Sequence, residues 1–255
     1  MEVSNMAEPA IALREHPQII ELFTVLEQNG LHQQKDEVQA LVSYIDGMED
    51  KLSRMVDEMT AMRKEVDQLH DRSIQARCTF LMNEAENKVH QVSSMVSTAK
   101  NNTISAAGRK VQTFHEKGRV ALRHAVQALR IPAVLTRMEH GFSHASQTME
   151  KCAGRMDVIR EELHQAGGHL KSAGRALTGK EAQQVKELDA DKGVLAKLRG
   201  FLTSCGKAFS EMERGAGRLA EKAGGEKASV KTELMALKAA PSGQHRADPG
   251  KDKAR

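Results

Sequence analysis

The sequence predicts an all-α protein, made of a long coiled-coil helix and an antiparallel helical hairpin or bundle, and three observations lead there. Aromatic residues are 3% of the chain, with no Trp and one Tyr, whereas Met occurs 13 times. Globular cores draw heavily on aromatic area, while helix-to-helix seams can be filled by Leu, Met, Val and Ala. Between residues 18 and 240 the only proline is Pro132, so long helices escape ring clashes and missing N–H donors. Apolar residues recur at spacings of three and four, and no segment of useful length alternates with the period of two that a half-buried strand needs.

Residues 1–15 are expected to be disordered. His16-Pro17, then Ile19, Ile20, Leu22, Phe23 and Leu26, then Asn29-Gly30, read as a short helix over 16–30 with Pro in its first turn and Gly as its stop. A helix that short is marginal alone and must dock on something. From Val38 a heptad runs without a miss. Val38, Ile45, Leu52, Met59 and Val66 hold one seam position, and Leu41, Met48, Met55, Met62 and Leu69 the other. Such a stripe is buried only against a second helix, so these ten residues are expected to form a partner interface.

After Leu69 the register slips near residues 70–74 and resumes through Ile74, Cys78, Leu81, Ala85, Val89, Val92 and Val96. A slip of this size is a stutter, which unwinds a supercoil without ending a helix, so one helix is expected over 35–131. Beyond Pro132 a heptad returns from Leu135 to Leu177, and a similar series runs from Val185 and Leu188 to Ala223, interrupted at Lys192. Two matched stripes joined by Thr178-Gly179-Lys180-Glu181 predict an antiparallel hairpin over 133–225 with its turn near 178–184. Gly224-Gly225 is expected to end it, with a short helix at 227–239 and a disordered basic tail at 240–255.

Cys78, Cys152 and Cys205 are odd in number and lack CxxC spacing, which suggests a reducing, cytoplasmic setting. The first sixteen residues have no hydrophobic core of a signal peptide, and no apolar run is long enough for a membrane span. Charge is uneven: residues 1–75 carry 7 basic and 15 acidic side chains, and the rest carry 31 and 19. An acidic head on a basic body can steer self-association or attract an anionic partner.

Four features invite a chemical reading. Gly174 to Lys180 matches G-x4-G-K, but Glu181 replaces the metal-binding Ser or Thr and no strand precedes it, so a hairpin turn is the better account. His140 and His144 have metal-clamp spacing but no third ligand at a ligating distance in sequence. The three cysteines lie on apolar stripes, where a thiol is a small hydrophobe. The segment 109–130 carries Arg109, Lys110, Lys117, Arg119, Arg123 and Arg130 against one anion, Glu116, around Val111, Phe114, Leu122 and Leu129. A basic amphipathic helix of this kind can contact phosphates or lie on an anionic membrane.

The segments HPQIIELFTVLEQNG, VQALVSYIDGMEDKL, HGFSHASQTMEKCAGRMDVIREELHQAGGHLKSAGRALTGKE and SCGKAFSEMERGAGRLAEKAGGEKASVKTELMALK resemble an uncharacterised family of helical proteins from gut Firmicutes, often near mobile or conjugative elements. The resemblance spans roughly residues 16–238 and implies a bacterial accessory role without functional residues. Together these readings point to a non-enzymatic, cytoplasmic interaction protein with no cofactor, metal or small-molecule substrate, binding itself or another helical protein through residues 38–69. The alternatives are a nucleic-acid accessory protein that uses helix 109–130, and a peripheral membrane binder.

Overall fold

Local signals begin the fold at its N-terminal end. Pro17 opens α1, Pro17–Gln28, behind His16, whose Nδ1 accepts the Gln18 N–H at 3.3 Å. Gly30, at φ 68°, closes it. Gly30 N–H reaches Glu27 O at 3.0 Å and Leu31 N–H reaches Leu26 O at 2.9 Å, while the buried side chains of Leu26 and Leu31 lie at the two ends of the bond. That is a Schellman stop, and only a residue free of a Cβ takes its left-handed corner cheaply. The computed structural model describes residues 11–127, 131–178 and 193–239. Within them lie α1 and four long helices: α2, His32–Asp67; α3, Arg72–Gln127; α4, Ile131–Leu177; and α5, Val194–Ala239.

The four long helices pack as an up-down-up-down bundle. The ion pair of Arg63 with Glu86 and that of Lys100 with Glu49 at 2.7 Å set α3 antiparallel to α2. Arg77–Glu162 at 2.7 Å and Arg155–Glu84 at 2.8 Å do the same for α3 and α4. Ser146 Oγ donates to Gly206 O at 3.1 Å and meets Ser210 Oγ at 2.8 Å, which sets α4 against α5. Lys197–Glu65 at 2.8 Å and the Tyr44 hydroxyl, which donates to Met212 O, close the ring between α5 and α2. Gly215 makes that last approach possible, because a Cβ there would stand 3.0 Å from Tyr44 Cε2.

The single helix expected over 35–131 is therefore two helices that double back. Its slip near residues 70–74 is a reversal at 68–71 rather than a stutter. Asp71 Oδ1 accepts the N–H groups of Ser73 at 2.9 Å and Ile74 at 3.2 Å, starting α3 with an N-terminal cap that a through-going helix would not need. Two further expectations change. Residues 11–15, placed in a disordered segment, form a 3-10 turn at Leu13–Glu15 that seats Leu13 in the core. Gly224-Gly225 does not end α5, which runs unbroken to Ala239 and absorbs the short helix expected at 227–239. Among the described residues only Gly30, Gly118 and Gly193 take positive φ, so the two glycines never form a left-handed stop. The expected connection near 178–184 lies, beyond Thr178, outside the described residues, as do the tail 240–255 and residues 1–10.

Asp46 ties the N-terminal turn to α2. Its carboxylate is buried and accepts Leu13 N–H at 2.6 Å, Arg14 N–H at 3.2 Å and Arg14 Nε at 3.1 Å. Lys100 adds a second tie by donating to Ile11 O at 3.1 Å. Asp46→Ala would leave two backbone donors without an acceptor in a water-poor site, at a cost of about 1–3 kcal/mol. Urea unfolding is expected to show that loss, and amide exchange at Leu13 and Arg14 should rise; unchanged protection there would refute the tie.

Candidate interaction surfaces

The ten-residue stripe, nine members on α2 and Leu69 just past its end, faces inward. Val38, Leu41, Ile45, Met48, Leu52, Met55, Met59 and Val66 are buried, and Met62 and Leu69 are half-buried against the same core. The partner interface expected over 38–69 is thus taken by the chain's own helices, and this corrects the intermolecular assignment. The helix that the heptad demanded is α3 on one side and α5 on the other. Part of the acidic head is paired with the basic body within the chain, through Glu49 with Lys100 and Glu65 with Lys197.

The basic segment is not one helix surface. Gly118, at φ 76° and ψ −170°, breaks the helical path of α3. Arg109, Lys110 and Lys117 precede the break and Arg119 and Arg123 follow it, while Arg130 lies outside the described residues. Val111 is buried and Phe114 half-buried, so the near half of the expected membrane-facing stripe belongs to the core. Among the described residues, the segment is therefore not one continuous helix.

His140 and His144 are exposed on α4. Among the described residues, no three or more His, Cys, Asp or Glu side chains come together where a metal ion could be held. Gly174 lies inside α4, and Gly179 and Lys180 lie outside the described residues. Cys78, Cys152 and Cys205 are free and buried. Burial pushes all three thiols up, Cys152 to about 11 with help from nearby Glu84, and Cys205 to about 12 with help from Glu58. Burial also raises the Tyr44 hydroxyl.

These shifts set a pH dependence. An unfolded thiol ionises near the ordinary value of 9.0, whereas Cys152 and Cys205 in the fold hold their protons to about 11 and about 12. Above pH 9 the unfolded chain therefore binds fewer protons, and stability falls as pH climbs through that window. Thermal unfolding is expected to show a level Tm with respect to these groups below pH 9 and a decline above it. Cys205→Ala should make the decline shallower, and an unaltered slope would count against the assignment.

Two clefts open on the bundle surface. One, of about 230 Å³, sits where α2 and α4 begin, with Leu41, Ile131, Leu135 and Leu219 among its lining and Asp36 and Lys222 at its rim. The other, of about 660 Å³, runs along the outer α4–α5 seam over Ala153, Gly154, Thr203 and Ser210. In the second cleft, Asp157 pairs with Arg199 across the seam.

Among the described residues, the most exposed large apolar side chains lie at the far end of α4. The Asp157–Arg199 pair and the start of α5 at Val194 place the first turn of α5 opposite the turn around Leu163. Arg77–Glu162 and the start of α3 at Arg72 place the first turn of α3 near Gly167. From there α4 runs on past both helices. Leu163 is half-buried, Leu170 is 78% exposed and Leu177 89% exposed, with Ala166 and Ala173 exposed between them. The heptad places this stripe in the hairpin interior, and spacing alone gives no sign that its outer end projects.

The model of a family of unknown function, DUF6674, matches residues 15–255. No curated protein and no solved structure matches the chain. No helix among the described residues is long and apolar enough to cross a membrane.

Proposed function

The chain belongs to that family of unknown function, and within it we propose that the protein is a non-enzymatic helical interaction protein that presents the projecting end of α4 to a partner helix. The observation that carries this reading is the exposure of Leu170 and Leu177 on a heptad whose earlier members, Met149, Cys152, Met156 and Ile159, are buried. Isolated exposed leucines need no explanation, but two on a regular seam leave a row that only another helix fills well. The bundle below it serves as a rigid stalk, closed by its own apolar seams and ion pairs. A cytoplasmic setting and a bacterial mobile-element context belong to the same proposal, as does the absence of catalysis.

The test is chemical cross-linking in the native host, with wild type compared with the Leu170→Lys, Leu177→Lys pair. Both positions are exposed, so the substitutions should cost the fold within about 0.5 kcal/mol. A cross-linked species that wild type forms and the lysine pair loses is the expected result. Identical cross-linked species from both chains would refute the reading.

A further inference from the structure

We propose that the cleft where α2 and α4 begin is a binding site for a small organic ammonium ion with an apolar body. Its floor is made by Leu41, Ile131 and Leu135, which are 4%, 5% and 1% exposed, with Leu219 half-buried beside them. Close-packed interiors leave few voids larger than one water molecule, and an apolar void holds water poorly. This one measures about 230 Å³. An apolar void of about 150 Å³ takes up benzene, so by proportion this one holds a body of about eight to ten carbon atoms. Ligand sites between the helices of a bundle are built in this way, from facing apolar side chains and a few polar groups that set orientation.

Alanines hold the space open. The apolar seam of α5 runs Leu202, Cys205, Phe209 and Met212 and then Ala216, Leu219 and Ala223, so it loses side-chain volume as it reaches the cleft. Ala40 lines the facing wall on α2. A bundle selected for stability alone would gain by filling such a gap with a larger apolar side chain. The mouth sets the preference for charge. Asp36 and Glu37 on α2 place two carboxylates against the one ammonium of Lys222 on α5. The first turn of α2 carries no acid, so neither carboxylate serves to start that helix. A head group at the mouth keeps part of its water; the apolar floor therefore supplies most of the affinity, and the carboxylates select a cation over an anion. The cleft lies at the opposite end of α4 from Leu170 and Leu177, and so is separate from the surface described above.

Isothermal titration of the full chain with octylammonium, octanol and octanoate is the test. Octylammonium should bind once per chain with a Kd below about 1 mM, a modest affinity for so few atoms. Octanoate should bind at least about tenfold more weakly, with octanol between the two. Asp36→Asn together with Glu37→Gln should bring octylammonium to the octanol value and leave octanol where it was. Ala223→Leu should abolish the binding of both while helicity by circular dichroism is kept, and Ala40→Leu should do the same from the opposite wall. The lysine pair at Leu170 and Leu177 should bind octylammonium as wild type does, so that loss of the cross-link and loss of the ligand are separate results. No saturable heat from octylammonium, octanoate binding as tight as octylammonium, or undiminished binding in a folded Ala223→Leu or Ala40→Leu chain each overturn the proposal.

Discussion

Met55→Lys is expected to unfold the chain rather than release a partner from it. Met55 is 6% exposed and lies near the middle of α2, between Leu52 and Met59, which are 3% exposed each. Removing the thioether from the core forfeits about 1.5–3 kcal/mol of apolar burial. Placing an ammonium there without an anion adds several kcal/mol more, because the bundle offers no water to replace its hydration. Lysine relieves such strain by running its stem to the surface, but a site enclosed by α3 and α5 lengthens that path. Set against a typical total of about 5–15 kcal/mol, the loss is large enough to depopulate the native state. Circular dichroism should show a Tm lowered by many degrees and reduced helicity at 37 °C. Phe80→Lys is the matched control, since Phe80 is 63% exposed and a lysine there keeps its water. A chain that keeps its full helicity after Met55→Lys and changes only its mass would return the 38–69 stripe to an intermolecular role.

That experiment also marks where the sequence ceases to be informative. The row from Val38 to Leu69 is plain in the spacing, since a period of three and four admits one geometry, a stripe along a helix. Spacing says that the stripe must be covered and is silent on what covers it; α3 and α5 enter through contacts far away in sequence. The reversal at 68–71 and a stutter produce the same arithmetic of slipped register. What separates them is the Asp71 cap on Ser73 and Ile74, a local hydrogen bond that only a helix start requires. Glycine is equally ambiguous: Gly30 and Gly224-Gly225 follow helical runs alike, yet only the first takes a left-handed corner, because Leu31 behind it has a core to enter. Gly118 carries the reverse lesson, since it breaks a segment whose charge pattern reads as continuous. The candidate surface was half legible. Leu163, Leu170 and Leu177 were visible as seam residues, but their exposure depends on where α3 and α5 begin, which follows from pairing register and not from their own spacing. Asp46 and Tyr44 gave no signal at all, because their partners are 33 and 168 residues away.

Phe209→Ala should be the most damaging truncation in the α4–α5 pair, at about 3–5 kcal/mol. With aromatics only 3% of the chain, few side chains supply much area each, and Phe142 and Phe209 are the largest that are fully buried, one on each helix of the pair. Truncation removes the transfer free energy of the ring and leaves a void, whose cost depends on how far its walls relax. This core is rich in Met149, Met138 and Met212, all buried. Unbranched thioethers move into gaps more readily than Leu or Ile, so the loss should fall toward the lower end of the range. Phe209→Met keeps more of the volume and should cost under about 1.5 kcal/mol. The two substitutions, compared by guanidinium unfolding, separate lost area from lost shape. Equal losses for Ala and Met would mean that ring geometry, not volume, holds α4 against α5. A loss below about 1 kcal/mol for Ala would mean that Phe209 is not enclosed by the bundle at all.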